Sequence, residues 1–281
     1  MRALLFLYAE TPVHAGADTG SGVVDLPIQR EVATGLPIIK GESLKGALRE
    51  RFRDDELCTE MFGSDVTQPR EQTRPGAVRV HEAQLVAFPA PTIKGTFAWM
   101  TSPVAQARLN RKAVLAGLSL PEAPQVPGPR CLVTQKSTAK LVVGPYVVDS
   151  QHSEELGTWA EQIAERALPD HDFFRKKFAG DMINGGDELL AAVSRECAPV
   201  VARVQLNGAA EEPTKTVRHG PFYSEYLPGE SLLAALVEGR SEHMEVLARL
   251  DGQVLRVGGD ESIGKGLMWC RLWRADGAAA S

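Results

Sequence analysis

A glycine-rich segment near the C-terminus constrains the fold most. Residues 258–266 read Gly-Gly-Asp-Glu-Ser-Ile-Gly-Lys-Gly, so that Gly259, Gly264 and Lys265 match the G-x-x-x-x-G-K spacing of a phosphate-binding loop. Gly266, however, stands where that loop carries a magnesium-binding serine or threonine. Only 15 residues follow, too few for the helix and parallel strands of a P-loop fold. A nucleotide triphosphatase is therefore disfavoured, which leaves a plain glycine turn or a ligand-approaching loop of another fold.

Upstream of this segment, strand-like runs alternate with amphipathic ones. Ala3–Tyr8 is apolar and Glu10 follows it closely, which indicates a buried strand and not a signal or membrane segment. Further strands are predicted at Val23–Glu31, Ala77–Pro89, Ile93–Met100, Leu141–Val148, Val200–Leu206, Gly220–Leu227, Val254–Val257 and Leu267–Trp273.

Four helices are predicted between these strands. Ser43 is the expected N-cap of the first, in which Leu44, Leu48 and Phe52 share one face, and Ser102-Pro103 opens the second. The other two are Ser153–Leu168 and Glu242–Leu250. Strands with helices between them and irregular insertions predict an α+β fold with helices on one face of a sheet. A ferredoxin-like core is the economical choice.

A long hairpin is predicted late in the chain. The strand-like runs Val200–Leu206 and Gly220–Leu227 flank the polar stretch Asn207–His219, which has no core to pack into. Such a hairpin is either a functional projection or a common surface insertion.

Composition limits the classes of partner. Lysine and arginine number 31 against 36 acidic residues, a formal charge of -5, so that any nucleic-acid site must be a local basic surface. The four cysteines lie far apart without a C-x-x-C pair, which disfavours a zinc site and a disulfide scaffold and indicates a cytoplasmic protein. No segment predicts a membrane span, so no membrane partner is expected.

The helix after Ser43 carries a row of cations. Lys45, Arg49 and Arg53 recur every four residues, and Lys40 precedes the helix. Cations on a helix most often form a solvated face. Here glycines permit close approach, and free amides at a helix N-terminus favour phosphate, so that phosphate binding is the competing interpretation.

Several segments resemble one family in the same order along the chain. They are AETPVHAGADTGSGVVDLPIQRE, LPIIKGESLKGALRERF, GTFAWMTSP, GPFYSEYLPGESL and GGDESIGKG. Together they resemble the backbone-subunit family of Cmr-type (type III-B) CRISPR effector complexes, within the RAMP superfamily. Asp18 departs from that pattern, because a small residue is expected there. The resemblance implies one RAMP domain over residues 1–281, with a ferredoxin-like (RRM-like) core, helical insertions and an inserted thumb hairpin at residues 200–222.

The resemblance also implies partners and an RNA path. A subunit of this family holds guide CRISPR RNA, pairs it with single-stranded target RNA, and assembles with other Cmr subunits and with copies of itself in a head-to-tail filament. The thumb would splay the guide–target duplex at regular intervals, so that cleavage follows subunit spacing. The residues expected to bind RNA are Lys40, Ser43, Lys45, Arg49, Gly264, Lys265 and Gly266.

The same resemblance assigns catalysis to Asp25. A single carboxylate can hold a divalent ion, Mg²⁺ or Mn²⁺, whose other ligands are water and substrate phosphate, although an aspartate before a turn most often caps its own backbone. His14 is a candidate acid or base, or an incidental loop histidine. Glu225 is a second catalytic carboxylate or a structural hydrogen-bond partner. Two alternative functions stay open: a non-catalytic RNA scaffold of the same fold, and a metal-independent RAMP that processes guide precursors through His14.

Overall fold

The structure, a computed structural model, describes residues 1–17, 24–64, 73–122, 124–126, 128, 130–136, 140–206 and 217–275. Its strands are β1 (Arg2–Ala9), β2 (Ile38–Ile39), β3 (Arg79–Val80), β4 (Ala83–Pro91), β5 (Phe97–Thr101), β6 (Cys131–Val133), β7 (Lys140–Val143), β8 (Tyr146–His152), β9 (Met182–Asn184), β10 (Val200–Leu206), β11 (Val217–Glu225), β12 (Leu232–Glu238), β13 (Val254–Arg256) and β14 (Leu267–Trp273). Its helices are α1 (Gly41–Arg51), α2 (Cys58–Phe62), α3 (Pro103–Leu115), α4 (Glu154–Ala167), α5 (Asp172–Gly180), α6 (Asp187–Glu196) and α7 (Ser241–Ala248), with a 3-10 turn at Glu261–Ile263.

The centre of the molecule is an antiparallel sheet in the order β14-β1-β12-β4. In chain order the elements β1, α1, β4, β12, α7 and β14 follow the β-α-β-β-α-β sequence of a ferredoxin-like fold. The prediction of an α+β fold with a ferredoxin-like core is therefore confirmed. The strands β5, β9, β6, β8 and β7 extend the sheet beyond β4.

Both faces of this sheet are covered. Successive β1 side chains alternate between two buried clusters: Leu5 and Leu7 pack with α1 and α7, whereas Leu4 and Phe6 pack with α4. Burying such an apolar side chain contributes roughly 2 kcal/mol, so this double cover stabilises the central strands strongly. The prediction that helices lie on one face is wrong, because the inserted helices α3, α4 and α5 cover the face opposite α1 and α7.

The predicted cap at Ser102 is confirmed, Ser153 is a further cap, and the predicted cap at Ser43 is wrong. The hydroxyls of Ser102 and Ser153 accept hydrogen bonds from the amides that open α3 and α4. Ser43 instead lies inside the first turn of α1, whose N-cap is Lys40. The first residue of the helix, Gly41, has no room for a side chain, because a Cβ there would come within 2.6 Å of the Val80 carbonyl oxygen. Its glycine therefore lets the helix start directly against β3.

The other differences concern the boundaries of elements and elements that the sequence did not predict. The predicted run Leu141–Val148 is two strands, β7 and β8, which turn at Gly144 with a φ of 53°. The run Ile93–Met100 becomes a strand only from Phe97, and residues 24–31 form isolated bridges instead of a strand. Helices α2, α5 and α6 were not predicted. Arg53 lies beyond the end of α1 and pairs with Glu50, so that helix carries only two of the three spaced cations.

The predicted hairpin strands are present. Among the described strands, β10 and β11 pair with each other as a two-stranded antiparallel sheet separate from the main one. Residues 207–216 lie outside the described residues, as does Asp18.

The four cysteines are free, and burial raises the pKa of Cys270 to about 12 and that of Cys131 to about 11.

A search of the described helices for a membrane-crossing segment finds none of sufficient length and apolar character.

The fold changes the pKa of one carboxylate, that of Glu230. Burial raises the pKa of Glu230 from 4.5 to about 7, although Tyr8 donates a hydrogen bond to it. Because the folded pKa exceeds the unfolded one, protonation stabilises the fold below pH 4.5, and this stabilisation is lost as the pH rises through about 7.

Glu230→Gln should therefore raise the melting temperature at pH 8 and change it little at pH 4. The matched control is Glu161→Gln on the exposed face of α4, for which thermal melts should show no pH-dependent gain. An equal gain in both variants would contradict this role of burial.

Candidate active site

Four separate segments meet beside the end of β1. Isolated bridges join Val13 to Leu227, His14 to Gly259, Gly16 to Ile28 and Leu26 to Ser224. We call this assembly of residues 13–17, 24–30, 222–227 and 257–266 the loop junction. It unites the N-terminal glycine loop, the Asp25 segment, the base of the β10–β11 hairpin and the C-terminal glycine loop.

Asp25 is exposed and anchored to the hairpin. Its Oδ2 accepts a hydrogen bond from the Tyr223 amide at 2.7 Å. The carboxylate thus caps a backbone group of β11, far away in sequence, and not its own turn. Its other oxygen, Oδ1, has no hydrogen bond to the described residues and faces outwards.

His14 is anchored two residues further along the same strand. Its Nδ1 lies 2.8 Å from the Glu225 carbonyl oxygen, which can only accept, so Nδ1 carries a proton and neutral His14 keeps Nε2 as a proton acceptor. With a rise of about 3.4 Å per residue, the two anchor points on β11 lie about 7 Å apart. His14 and Asp25 therefore stand along one edge of β11.

The backbone around His14 demands glycine. A side chain on Gly258 would come within 2.4 Å of the His14 carbonyl oxygen, and Gly258 has a φ of 86°. A side chain on Gly16 would come within 2.9 Å of Nε2. The His14 backbone therefore requires glycine at position 258, and a side chain at position 16 would displace the imidazole.

Glu225 is held by a structural ion pair. It is buried, and its Oε1 lies 2.6 Å from the Arg30 guanidinium while its Oε2 accepts the Ile28 amide at 3.0 Å. Arg30 also donates to the Ser194 carbonyl, so it ties β11 to α6. Since both carboxylate oxygens are engaged, these contacts favour the structural alternative for Glu225. Nothing near Arg30 in the sequence indicated this partner.

The C-terminal glycine loop contains a second ion pair that sequence reasoning missed. Asp260 accepts two hydrogen bonds of 2.6 Å from Arg203 Nη1 on β10 and one of 2.8 Å from the Tyr226 hydroxyl. Burial alone would raise the pKa of Asp260, but these bonds outweigh it, and the pKa is lowered. Asp260 is therefore an ionised link between the hairpin and the loop.

The loop residues predicted to bind RNA follow Asp260. Lys265 places its ammonium 5.4 Å from the centre of the Tyr226 ring, and His14 lies against the same ring at 5.6 Å. Gly264 and Gly266 both have positive φ, and Gly264 has open space where a side chain would be. The Tyr226 ring therefore has both the Lys265 cation and the His14 imidazole as neighbours.

The predicted RNA-binding residues of α1 divide into two groups. Ser43 lines a groove of about 710 Å³ between α1 and β13 that continues to Gly258 and Glu261 of the glycine loop. Lys40 precedes the helix, and Lys45 and Arg49 are half-buried residues that do not line this groove. The structure thus brings Ser43 to the loop junction, while the two cations occupy another face of α1.

The described residues offer little for a tightly held metal ion near Asp25. The one described group of three candidate ligands is Glu60, Glu242 and His243, and Arg240 already pairs with both glutamates there. At the loop junction Asp25 offers a single unengaged oxygen. That suits a magnesium-type ion whose remaining ligands are water and substrate phosphate, and it does not suit a permanent protein-bound ion.

Comparison with known proteins agrees with this fold along nearly the whole chain. The sequence matches the RAMP superfamily over residues 6–269. It is 31% identical over 285 residues to the CRISPR system Cmr endoribonuclease Cmr4 of Pyrococcus furiosus, covering 94% of this chain and 93% of that protein. The crystal structure of oligomeric Cmr4 from Pyrococcus furiosus superimposes with a TM-score of 0.73 at 24% identity, covering 98% of this chain and 99% of the other.

A second crystal structure of Cmr4 gives a TM-score of 0.72 at 25% identity, covering 98% of this chain and all of the other. A chain in the cryo-EM structure of the type III-B Cmr-beta complex bound to cognate target RNA gives 0.73 at 16% identity, covering 97% of each chain, and so shows the shared fold. On the sequence matches, the chain belongs to the RAMP superfamily and, within it, to the Cmr4 family.

Proposed function

We propose that this chain is a backbone subunit of a type III-B Cmr complex, which holds guide RNA and cleaves the target RNA paired to it. Its relative from Pyrococcus furiosus, 31% identical, is named an endoribonuclease. The observation that carries the proposal is that Asp25 and His14 are both anchored along one edge of β11. The cation of Lys265 lies near the Tyr226 ring, as His14 does. A carboxylate, an imidazole and a cation at an open turn form a set suited to phosphodiester cleavage.

The chemistry assigns a role to each group. Nε2 of His14 takes the proton of an RNA 2′-hydroxyl, whose oxygen then attacks the adjacent phosphorus in line. The P–O5′ bond breaks, and the departing oxygen takes a proton from water, which leaves a 2′,3′-cyclic phosphate and a 5′-hydroxyl. Asp25 is the residue that would hold a divalent ion, Mg²⁺ or Mn²⁺, and such an ion would offset the charge that develops on the phosphate. Lys265 positions the phosphate.

The hairpin supplies the geometry for attack. An RNA duplex holds its backbone stacked, which prevents in-line alignment of the 2′-oxygen, so the linkage must be splayed before it reacts. The second strand of the hairpin, β11, is the strand that anchors Asp25 and His14. A thumb that unstacks one base pair at its base would therefore deliver the freed linkage to those groups, and repeated subunits would cut at regular intervals.

Guide binding is assigned to the α1 region and the glycine loop. Lys40, Lys45 and Arg49 would contact phosphates, and Ser43 with the turn at residues 264–266 would let the backbone approach closely. These contacts read no bases, as a subunit that must accept any guide requires. Other Cmr subunits and further copies of this chain, arranged head to tail, complete the assembly.

A metal-independent reaction is the second candidate, because His14 has an acceptor nitrogen whether or not an ion is present. It corresponds to a RAMP that processes guide precursors. Cleavage of target RNA by the assembled complex in EDTA would favour it, whereas restoration of cleavage by added Mg²⁺ or Mn²⁺ favours the metal-dependent reaction at Asp25.

The first test removes only the charge of Asp25. In Asp25→Asn the amide oxygen can still accept the Tyr223 hydrogen bond, so the hairpin base stays anchored. Cleavage by the assembled complex should fall at least about 100-fold, because the charge that serves the transition state is lost. Guide retention and complex size should stay unchanged. Asp149→Asn, on the exposed side of β8, is the control and should cut normally. Normal cutting by Asp25→Asn would overturn the assignment.

The second test concerns the α1 cations. Combining Lys45→Glu with Arg49→Glu should weaken guide binding and reduce the slope of log affinity against log salt by about 1.4, because roughly 0.7 is lost per single-strand phosphate contact. A salt titration of guide binding measures it. Lys136→Glu with Lys176→Glu makes the same charge change on another exposed surface. Equal slopes for both double variants would return Lys45 and Arg49 to a solvated face.

The third test shortens the hairpin. Replacing residues 207–216 with Asn-Gly should preserve folding, since hairpin tips tolerate such changes. Cleavage should nevertheless fall, because the linkage near Asp25 would stay stacked. The measurement is the cleavage rate of an assembled complex of normal size. Wild-type rates there would show that the hairpin is a surface insertion only.

A further inference from the structure

The two strands of the β10–β11 hairpin differ in how they are attached to the rest of the molecule. β11 is joined to the Asp25 segment through the Leu26–Ser224 bridge. On β10, by contrast, Val200, Val201 and Val204 are all 44–48% exposed. Among the described hydrogen bonds and ion pairs, the one that ties the β10 strand to a segment outside the hairpin is that of Arg203 with Asp260. This pair therefore positions β10, whereas the base of β11 is held separately by Arg30, Ile28 and Asp25.

The pair is built for orientation. Both oxygens of Asp260 lie 2.6 Å from Arg203 Nη1, and the Tyr226 hydroxyl at 2.8 Å fixes the carboxylate from the end of β11. The Arg203 side chain is 28% exposed and that of Asp260 is 16% exposed, so solvent weakens the pair less than it would a surface pair. Phe222, on the strand opposite, packs its ring 5.7 Å from the guanidinium.

Asp260 also connects directly to the catalytic candidates. It follows Gly259, whose amide donates to the His14 carbonyl at 3.0 Å, and its φ of 65° directs the carboxylate towards the hairpin. Arg203 thus reaches, through Asp260 and Gly259, the backbone that carries His14. On the other strand, β11 carries the anchor of Asp25.

We propose that Arg203 and Asp260 are positioning residues that hold β10 against the C-terminal glycine loop and so fix the direction in which the hairpin projects from Asp25 and His14. This inference rests on the proposed ribonuclease function. Without the pair, β10 and the projecting part of the hairpin shift relative to the glycine loop, while Asp25 and His14 stay anchored to the base of β11. A linkage splayed by the hairpin then no longer meets both groups. Displacements of about 1 Å at reacting atoms lower rates by about 100-fold.

The test uses Arg203→Ala, Asp260→Asn and their combination in the assembled complex with guide RNA. Asparagine is tolerated at positive φ, so Asp260→Asn removes the charge without disturbing the loop backbone. Each single variant should lower the single-turnover cleavage rate about 10- to 100-fold, and the double variant should lower it no further, because the pair acts as one unit. Target-RNA affinity should change less than about twofold. Arg203→Lys, which keeps the charge, should recover part of the rate.

A second ion pair provides the control. Arg249 and Asp55 lie 2.7 Å apart, and neither belongs to the loop junction. Arg249→Ala and Asp55→Asn should leave cleavage unchanged. Wild-type rates in Arg203→Ala or Asp260→Asn, or multiplying losses in the double variant, would overturn the positioning role. If the wild-type complex does not cut complementary RNA, the proposed function fails. If the wild-type complex cuts and the Arg203 and Asp260 variants cut equally well, only this inference fails.

Discussion

Everything in this molecule depends on the placement of β1. It pairs with β12 on one side and β14 on the other, and its side chains are buried on both faces. A strand with neighbours on every side cannot shift without breaking two ladders and two apolar clusters, so it is the fixed reference for the chain. The loop junction begins where β1 ends, and it inherits this rigidity through Val13 and His14.

Within the junction, contacts with the backbone of β11 fix the site residues. His14 and Asp25 each bond to a main-chain atom of β11, and Glu225 stabilises that strand by neutralising Arg30. Buried ion pairs of this kind contribute little net stability but fix geometry, since removing one partner leaves the other charge unpaired. The site thus separates two tasks: Glu225 and Arg30 maintain the frame, while Asp25 and His14 stay open to a ligand.

Local patterns predicted the elements with strong periodicity. The apolar runs of β1 and β14 and the serine caps of α3 and α4 are visible in the sequence because neighbouring residues determine them. Gly144-Pro145 is a turn signal within Leu141–Val148, and a continuous apolar run concealed it. Ser43 looked like a cap, but close approach to β3 set the helix start at Gly41.

The site was predictable only in part, for the same reason. Asp25 was found through resemblance to a family and His14 through the acid–base chemistry of imidazole, and the structure anchors both along one strand edge. The pairs Arg30–Glu225 and Arg203–Asp260 join residues 195 and 57 positions apart, and no local feature of the sequence announces either. Partners of this kind become visible only when the fold brings them together.

The double cover of the central sheet decides how RNA can be held. In RRM domains the sheet face opposite the two helices is open, and bases stack on its aromatic side chains. Here α4 closes that face, with Trp159 and Ile163 buried against Leu4 and Phe6. The central strands β1 and β12 are therefore closed to a nucleic acid on this face, and the candidate RNA-binding residues lie instead in loops and at a helix. Such a surface follows the shape of the RNA strand and is indifferent to its bases.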